Sequence, residues 1–513
     1  MSISRFLYIL LSLLWCARGV IAQGVQSFVL SPGTAPLPLS NQTEVLLNSR
    51  DTVWVGTAAG LSATSDGTSW RHFANTGTFD RTGVSAIGLN DGMLWVATAD
   101  NERRGDTVIP TGRGLHWTAD RGVTWTFVPQ PVDAGTVDTI SYGINRIRAL
   151  AVTVPQQNLA YDVAITDSVA WIASFAGMLR KSADKGLTWE RVVLPPDNLD
   201  SIAPDDTLDF DLSPTSGSFG LRGNLNHRVF SVHAPDDSTI WVGTAAGINK
   251  STDGGLGWRR FSHQNQANAI SGNFVVAINE QRYGSTRIVW AATVRAVDPD
   301  ETTGVSFSDD GGATWSVTLQ GERAHNIAFQ DSIVYVATER GVFRSADGGQ
   351  TWLLNNTIFD ASNGQRFTTQ TIYAVAVRGD TVWAGGPEGV AYTIDNPLQA
   401  FGTTWRVFRT YEPVGLSRTT YAYPSPFSPD EQFVRIHYGT EGLTSTVTIR
   451  IYDFGMQPVR TILENAIRSG NHEHDELWDG TNDAGQRVAN GVYFYSVQLG
   501  SGDIAWGKIF VLQ

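Results

Sequence analysis

Cysteine is almost absent from this chain of 513 residues, because Cys16 is the only one. It lies in a segment with Arg5, an apolar run from Phe6 to Trp15 and small residues up to Ala22, a pattern typical of a secretory signal peptide. The run is too short to cross a membrane comfortably, so we expect residues 1–22 to be cleaved rather than to anchor the chain. The mature chain would then hold no cysteine, which excludes disulfides and thiolate chemistry.

Basic residues are also scarce, since 37 Lys and Arg stand against 50 Asp and Glu and the formal net charge is −13. So acidic a chain is a poor candidate for binding nucleic acid through phosphates. The HExxH, GxSxG and GxxxxGK[ST] motifs of metal, serine-hydrolase and phosphate-binding sites are missing as well. Histidines show metal-ligand spacing only at His472 and His474, which we interpret as an exposed strand edge. We therefore expect no metal and no cofactor.

The sequence is rich instead in glycine, tryptophan and one repeated phrase. The 52 Gly and 17 Trp favour short strands, tight turns and aromatic packing, whereas long amphipathic helical stretches are hard to find. The phrase has Ser or Thr, then Asp two residues on, Gly four on and Trp seven on. We call its copies the Asp-Gly turns, and they occupy residues 118–125, 182–189, 251–258, 308–315 and 345–352.

The residue types of the Asp-Gly turns indicate a structural role. Asp can accept hydrogen bonds from backbone N–H groups of its own turn, and Gly supplies the positive φ that a tight reversal requires. A calcium loop would need several oxygen ligands and a distal Glu, so one Asp per turn is too few. The residues predicted to hold the turns and to pack between sheets are Asp120, Trp125, Asp184, Trp189, Asp253, Trp258, Asp310, Trp315, Asp347 and Trp352.

Each turn belongs to a longer unit that reads as four strands, A to D. Strand B is an apolar segment with an aromatic residue, and it occurs at residues 53–57, 94–98, 170–174, 240–244, 289–293, 334–338 and 382–386. Strand C ends in the Ser or Thr of the turn, and strand D opens with its Trp. Repeated units of four strands predict an all-β fold, a seven-bladed β-propeller over residues 23–410. The phrase is one residue short in the first unit, and the seventh keeps Thr393 and Asp395 with an insertion before Trp405.

The repeat stops near residue 411, and a different pattern follows. Residues 411–426 read as a linker, and residues 427–513 contain strand-like segments at 433–438, 447–453, 492–499 and 508–513. Alternating apolar residues and turn residues predict a small Ig-like β-sandwich in this tail.

The Asp-Gly turns resemble the Asp-box, or bacterial neuraminidase repeat, of sialidases, sortilin-type receptors, xyloglucanases and a photosystem assembly factor. The resemblance spans about residues 43–410 and implies a propeller, but that group includes enzymes, receptors and assembly factors. The strand B segments also resemble the periplasmic sensor propellers of two-component regulators.

The tail has a separate resemblance, carried by YPSPFSP, IYDFGMQPVRTI, WDGTNDAGQRVANGVYFYSV and KIFVLQ. These segments resemble the Ig-like domain of the flagellar hook-capping protein and the C-terminal sorting domain of type IX secretion substrates. The resemblance implies that residues 421–513 address the outer-membrane secretion machinery and that the protein is secreted or held at the outer cell surface. Ser425 stands where the sorting domain usually has Asn.

A propeller places its B–C and D–A connections on one face, and the long ones here predict a binding site on that face. They are residues 99–114, 129–143, 195–226, 294–304 and 355–369. Two groups of charged side chains are candidates for binding, the first to a carboxylate and the second to a cation or carbohydrate, although the sequence favours solvated surface for both. They are Arg103, Arg104 and Arg113, and Asp205, Asp206, Asp209 and Asp211.

These features predict a secreted or cell-surface propeller that binds an extracellular glycan, peptide or protein. The alternative is a glycoside hydrolase with its site on the long-loop face, and a third interpretation is a sensor or assembly factor. This chain lacks the FRIP-like segment that sialidases usually carry, and it has seven predicted blades where their catalytic propeller normally has six. Xyloglucanases use two facing propellers, whereas this chain has one. Hydrolysis needs two carboxylates at a defined separation, and the sequence does not single out such a pair.

Overall fold

The structure is a computed structural model, and it describes residues 25–512 apart from 30–32, 74–78, 80–81, 105–106, 218–219, 411–419, 431–432, 441, 471–472, 501 and 503. The predicted signal peptide, most of the linker and His472 lie outside these residues. The described elements are β-strands and one short 3₁₀ helix, Leu225–His227. The prediction of an all-β chain is confirmed.

Residues 26–408 form the strands of the propeller. The first two units and the strands before them are β1 Gln26–Val29, β2 Gly33–Ala35, β3 Thr43–Ser49, β4 Thr52–Thr57, β5 Gly60–Thr64, β6 Trp70–Phe73, β7 Gly83–Asn90, β8 Met93–Arg104, β9 Thr107–Thr118 and β10 Thr124–Val128. The third and fourth units and their insertions are β11 Thr139–Tyr142, β12 Asn145–Ala149, β13 Asp162–Ile165, β14 Ala170–Ser174, β15 Met178–Ser182, β16 Glu190–Arg191, β17 Ser201–Ile202, β18 Asp211–Leu212, β19 Val229–His233, β20 Ile240–Thr244, β21 Gly247–Ser251 and β22 Trp258–Phe261.

The last three units have the four strands that the repeat predicts and no others. They are β23 Phe274–Tyr283, β24 Thr286–Val294, β25 Gly304–Ser308, β26 Ser316–Thr318, β27 Ala324–Gln330, β28 Ile333–Thr338, β29 Gly341–Ser345, β30 Leu353–Asn355, β31 Ala374–Arg378, β32 Thr381–Gly386, β33 Gly389–Ile394 and β34 Trp405–Phe408. Each unit is an antiparallel sheet in chain order, with strand A at one edge and strand D toward the other.

The innermost strands close these sheets into a ring. β3, β7, β13, β19, β23, β27 and β31 each contact the next in this order, and β31 contacts β3. The apolar segments of the neighbouring B strands are fully buried, as in β14 and β20, because a blade is covered on both faces by its neighbours. This geometry is a β-propeller of seven sheets, four with four strands and three with a fifth strand at the outer edge, around a central channel of about 630 Å³.

The ring closes through side chains between its last and first blades. Arg378 donates to the backbone carbonyl of Asp51 (2.6 Å), and the backbone N–H of Thr410 donates to Oδ1 of Asn41 (2.7 Å). The first strands of the chain do not close the ring: β1 pairs with β10 at the outer edge of the second blade, and β2 pairs with β6 at the outer edge of the first.

Three predicted loops, 99–114, 129–143 and 195–226, are in fact partly strand, and the second contains β11. Residues 99–114 continue the β8–β9 hairpin, which stays paired as far as Arg104 and Thr107. Within residues 195–226, β17 adds a fifth strand to the fourth blade and β18 pairs in parallel with β12, so that β11, β12 and β18 form a separate sheet. Their apolar side chains join one core with the third and fourth blades. β17 and β18 pair with strands more than fifty residues away in sequence, which explains why the local sequence did not reveal these two strands.

The tail is the predicted sandwich, and it consists of a three-stranded and a four-stranded antiparallel sheet. Its strands are β35 Thr420–Tyr423, β36 Val434–Tyr438, β37 Ser445–Tyr452, β38 Pro458–Arg468, β39 His474–Trp478, β40 Gly491–Leu499 and β41 Ile504–Val511. The prediction of an exposed edge at His474 is wrong. Its ring is buried, stacks on Tyr438 with centroids 5.5 Å apart and lies with Nε2 2.7 Å from the carbonyl oxygen of Ser469.

Candidate functional site

The Asp-Gly turns use their aspartates internally. Asp310 accepts hydrogen bonds from the Ser308 hydroxyl (2.8 Å) and from the backbone N–H and hydroxyl of Thr314 (2.9 and 2.6 Å). These Thr314 bonds are the main reason that the pKa of Asp310 falls to about 2. The same pattern recurs at Asp120, Asp184, Asp253 and Asp347.

The tryptophans of these turns pack against the blade before their own. Trp189, Trp315 and Trp352 meet the strand B tryptophans Trp95, Trp241 and Trp290 edge to face, with centroids 6.2, 6.3 and 6.5 Å apart. Trp125 packs in the same way on Phe73, and Trp258 joins the core around Trp171. The turns therefore join successive blades, and their repeated aspartates are engaged in hydrogen bonds within the turn.

The seventh blade uses its aspartate differently. Asp395 is buried and binds Arg344 and the hydroxyl of Tyr335, both of which belong to the sixth blade. Thr393 instead ties the inserted turn, through a hydrogen bond to the Thr404 carbonyl (2.7 Å). The aspartate that closes a turn elsewhere here links two blades.

The candidate arginines lie on the β8–β9 hairpin. Arg113 is paired within the hairpin, with Nε 2.8 Å from Asp100 and Nη2 2.8 Å from Glu102. Arg104 is exposed at the hairpin end, and the backbone of Arg103 precedes it in the strand. Arg113 therefore already has its carboxylate partners within the chain.

The candidate aspartates do not form one site, because Asp211 is buried and the other three are exposed. Asp211 is buried and binds Arg148 through two 2.8 Å hydrogen bonds, which are the main reason for its lowered pKa. Asp206 accepts the backbone N–H of Ala203 (2.7 Å), whereas Asp205 and Asp209 are exposed. Nowhere in the described ranges do three His, Cys, Asp or Glu side chains form a group that could hold a metal ion.

The central channel is the remaining candidate. Its inner strands all begin on the face where the D–A connections end, and we call this the entry face. We select six of the side chains that line the channel at this level, each within two residues of the start of an inner strand, and call them the collar. They are Glu44, Ser85, Tyr161, Phe230, His325 and Tyr373, from six different blades.

Aromatic rings make up most of the collar. Tyr161 is 37 % exposed and lies 5.3 Å from the ring of Phe230. Phe274 and Phe175 extend this surface, with ring centroids 4.6 and 6.4 Å from that of Phe230. Partly exposed aromatic rings grouped at the mouth of a cavity are a common feature of binding sites.

The other side of the collar combines aromatic and polar groups. The rings of His325 and Tyr373 meet edge to face at 5.5 Å. Burial lowers the pKa of His325 and raises that of Tyr373, which the nearby charge of Glu44 raises further, so both side chains are neutral at pH 7. Nε2 of His325 is inaccessible to water and has no hydrogen-bond partner among the described residues.

Below the collar the channel carries negative charge. Asp162 accepts backbone N–H groups of Val163 (2.8 Å) and Val232 (2.9 Å), and burial raises its pKa to about 6. Arg282 is the only Lys or Arg among the described lining residues, and it pairs with Glu280 near the opposite mouth.

The collar was missed in the sequence because its members share no motif. Tyr161, Phe230 and Tyr373 come directly after long D–A connections, and only ring closure brings them together. A usable signal was present, namely an aromatic residue at the start of strand A in several units.

The tail matches a family model. Residues 431–503 match the FlgD Ig-like domain, which confirms the Ig-like assignment of the tail. No curated protein matches the chain. No helix in the described part of the chain has the length and apolar character needed to cross a bilayer.

Several solved structures are similar to this chain at low sequence identity. The structure "YCF48 bound to D1 peptide" is 14 % identical, with 74 % of this chain and 98 % of that chain covered and a TM-score of 0.41. The extracellular domain of the putative hybrid two-component system BT3049 from B. thetaiotaomicron is 12 % identical, with 91 % and 72 % covered and a TM-score of 0.33. PorZ, described as a surface component of the type IX secretion system of Porphyromonas gingivalis, is 12 % identical, with 93 % and 87 % covered and a TM-score of 0.24.

Proposed function

We propose that this protein is a secreted or cell-surface binding protein that holds an extracellular partner at its collar. The observation that carries the proposal is the group of partly exposed aromatic rings around Phe230 at the mouth of a channel of about 630 Å³. Aromatic rings supply large contact area at low entropic cost, which is why they dominate the energetics of binding sites.

The lining favours binding over hydrolysis. Three arginines converging on a sugar carboxylate would support the sialidase-like alternative, but the described channel lining holds Arg282 alone, already paired with Glu280. Asp162 is occupied by two backbone N–H groups.

The test is an array of glycans, glycosides and peptides, read for both binding and hydrolysis with the full mature chain. Phe230→Leu keeps apolar volume but removes the ring, and we expect it to abolish binding of the array ligands that the wild type retains. Phe454→Leu is the matched control, because Phe454 is 78 % exposed on the tail. Turnover of a glycoside that Phe230→Leu also loses would replace this proposal with the hydrolase.

The tail gives a second role, export. The match of residues 431–503 to an Ig-like domain and the resemblance of residues 421–513 to a sorting domain support the proposal that the tail addresses the outer-membrane secretion machinery. Deleting residues 421–513 is expected to leave the protein in the periplasm. Unchanged secretion of the truncated chain would contradict this role.

A further inference from the structure

The charge of the channel is one-sided. Four carboxylates line it, Glu44, Asp162, Glu280 and Asp331, against the single guanidinium of Arg282. Arg282 lies in the far half of the channel, paired with Glu280, so the half next to the collar holds Glu44 and Asp162 without a lining Lys or Arg among the described residues. The chain as a whole carries −13, which attracts cations to such a cleft.

The aromatic rings of the collar suit the same sign of charge. The face of an aromatic ring is negative, so rings grouped around a mouth attract an ammonium or guanidinium group. Burial keeps His325 neutral, and its neighbour Arg323 is paired with Glu339 (3.5 Å), so neither opposes a cation there. One cation–π contact of this kind is present beside the collar, where the guanidinium carbon of Arg228 lies 5.2 Å from the ring centroid of Phe175.

We infer that the collar receives a basic side chain, a Lys or Arg, presented by a protein partner, with the rings of Tyr161 and Phe230 as its walls and the negative charge of Glu44, on the other side of the mouth, attracting it. This inference deepens the proposed function and rests on it. A neutral glycan would stack on the rings but would gain no attraction from the charge of Glu44. The occupant is therefore defined by charge complementarity between a basic side chain and the acidic lining of the channel.

The probes are small, so the test isolates the collar. N-acetyl-lysine methylamide and N-acetyl-arginine methylamide are titrated into the full mature chain by saturation-transfer NMR, beside the neutral N-acetyl-norleucine methylamide, tetramethylammonium and methyl β-glucoside. We expect the two basic probes to bind about tenfold more tightly than norleucine, and more weakly as salt rises. Glu44→Gln, which removes charge at constant volume, should weaken them about fivefold, and Phe230→Leu should do so as well. Phe454→Leu should change nothing.

The outcomes separate the two proposals. Binding of the glucoside or of norleucine that Phe230→Leu abolishes, without any preference for the basic probes, overturns the inference and leaves the collar as a binding site. Binding of tetramethylammonium alone overturns the assignment to a protein side chain. Failure of every probe, together with array binding that Phe230→Leu leaves unchanged, overturns both the inference and the proposed function.

Discussion

The tail contains a buried histidine whose charge should govern its stability. His437 on β36 is 4 % exposed at its side chain, with Nδ1 3.1 Å from Asp475 and Nε2 in close contact with Glu473. Burial alone would lower the pKa of His437, but hydrogen bonds to Asp475 and Glu473 and their negative charges outweigh it and raise the pKa to about 9. The folded tail therefore binds a proton that the unfolded chain releases near pH 6.5.

The magnitude follows from the difference between the two pKa values. A rise from 6.5 to about 9 corresponds to about 3 kcal/mol, at 1.36 kcal/mol per unit. Because the Glu473 side chain is 57 % exposed, solvent screens its share, and we expect about 2 kcal/mol in practice. A raised histidine pKa stabilises the fold fully below pH 6.5, and that stability disappears as the pH rises through about 9.

Differential scanning calorimetry of the full chain between pH 6 and pH 10 measures this effect. The tail transition, identified by its loss on deletion of residues 421–513, should fall by about 10 °C for about 2 kcal/mol in a domain of this size. His437→Gln should remove most of the fall. His474→Gln is the control, because burial lowers the pKa of His474 and so moves its titration away from the pH range in which His437 titrates. A tail transition that stays constant from pH 6.5 to pH 10 would refute the reasoning.

Three further predictions concern the propeller. Asp310→Ala should lower the free energy of unfolding by about 1–2 kcal/mol, because it removes the three hydrogen bonds that hold its turn. The exposed neighbour is the control, since Asp309→Ala should change the free energy of unfolding by less than about 0.5 kcal/mol. Urea unfolding measures both variants. Burial raises the pKa of Asp162 to about 6, so the wild type should lose stability as the pH rises from about 4 to 7. Asp162→Asn should flatten this dependence, which urea unfolding at several pH values would show. Tyr335→Phe should cost about 1–2 kcal/mol, because Asp395 loses a buried donor between two blades, and an unchanged urea midpoint would argue against that link.

The sequence predicted those parts of the fold whose interactions are local. An Asp-Gly turn closes within seven residues, so Ser308, Asp310 and Thr314 define its hydrogen bonds before any blade exists. Strand B is recognisable because burial on both faces requires a continuous apolar run, as in β20. The prediction of a loop at 195–226 was wrong where pairing is distant, as between β12 and β18, whereas residues 99–114 form a local hairpin extension that the sequence pattern did not indicate.

The candidate site was less predictable for the same reason. Charged residues in long connections drew attention to Arg113 and Asp211, but each has an internal partner that is invisible in sequence. The collar depends on which strand-A residues face one channel, and that depends on ring closure between β31 and β3. The expected face was nevertheless the one on which the collar lies.

The central claim is that the entry face binds the partner through the collar, and labelling of the tyrosines tests it most directly. With 3-fluorotyrosine in the full mature chain, the ¹⁹F resonances of Tyr161 and Tyr373 should shift during titration with a ligand from the array, and they are assigned by Tyr→Phe variants. Tyr493 of the tail sandwich, which belongs to the buried core there, should not respond. Shifts of Tyr161 and Tyr373 that saturate with the ligand are the predicted result. A saturating shift at Tyr493, with both collar tyrosines unchanged, would contradict the account.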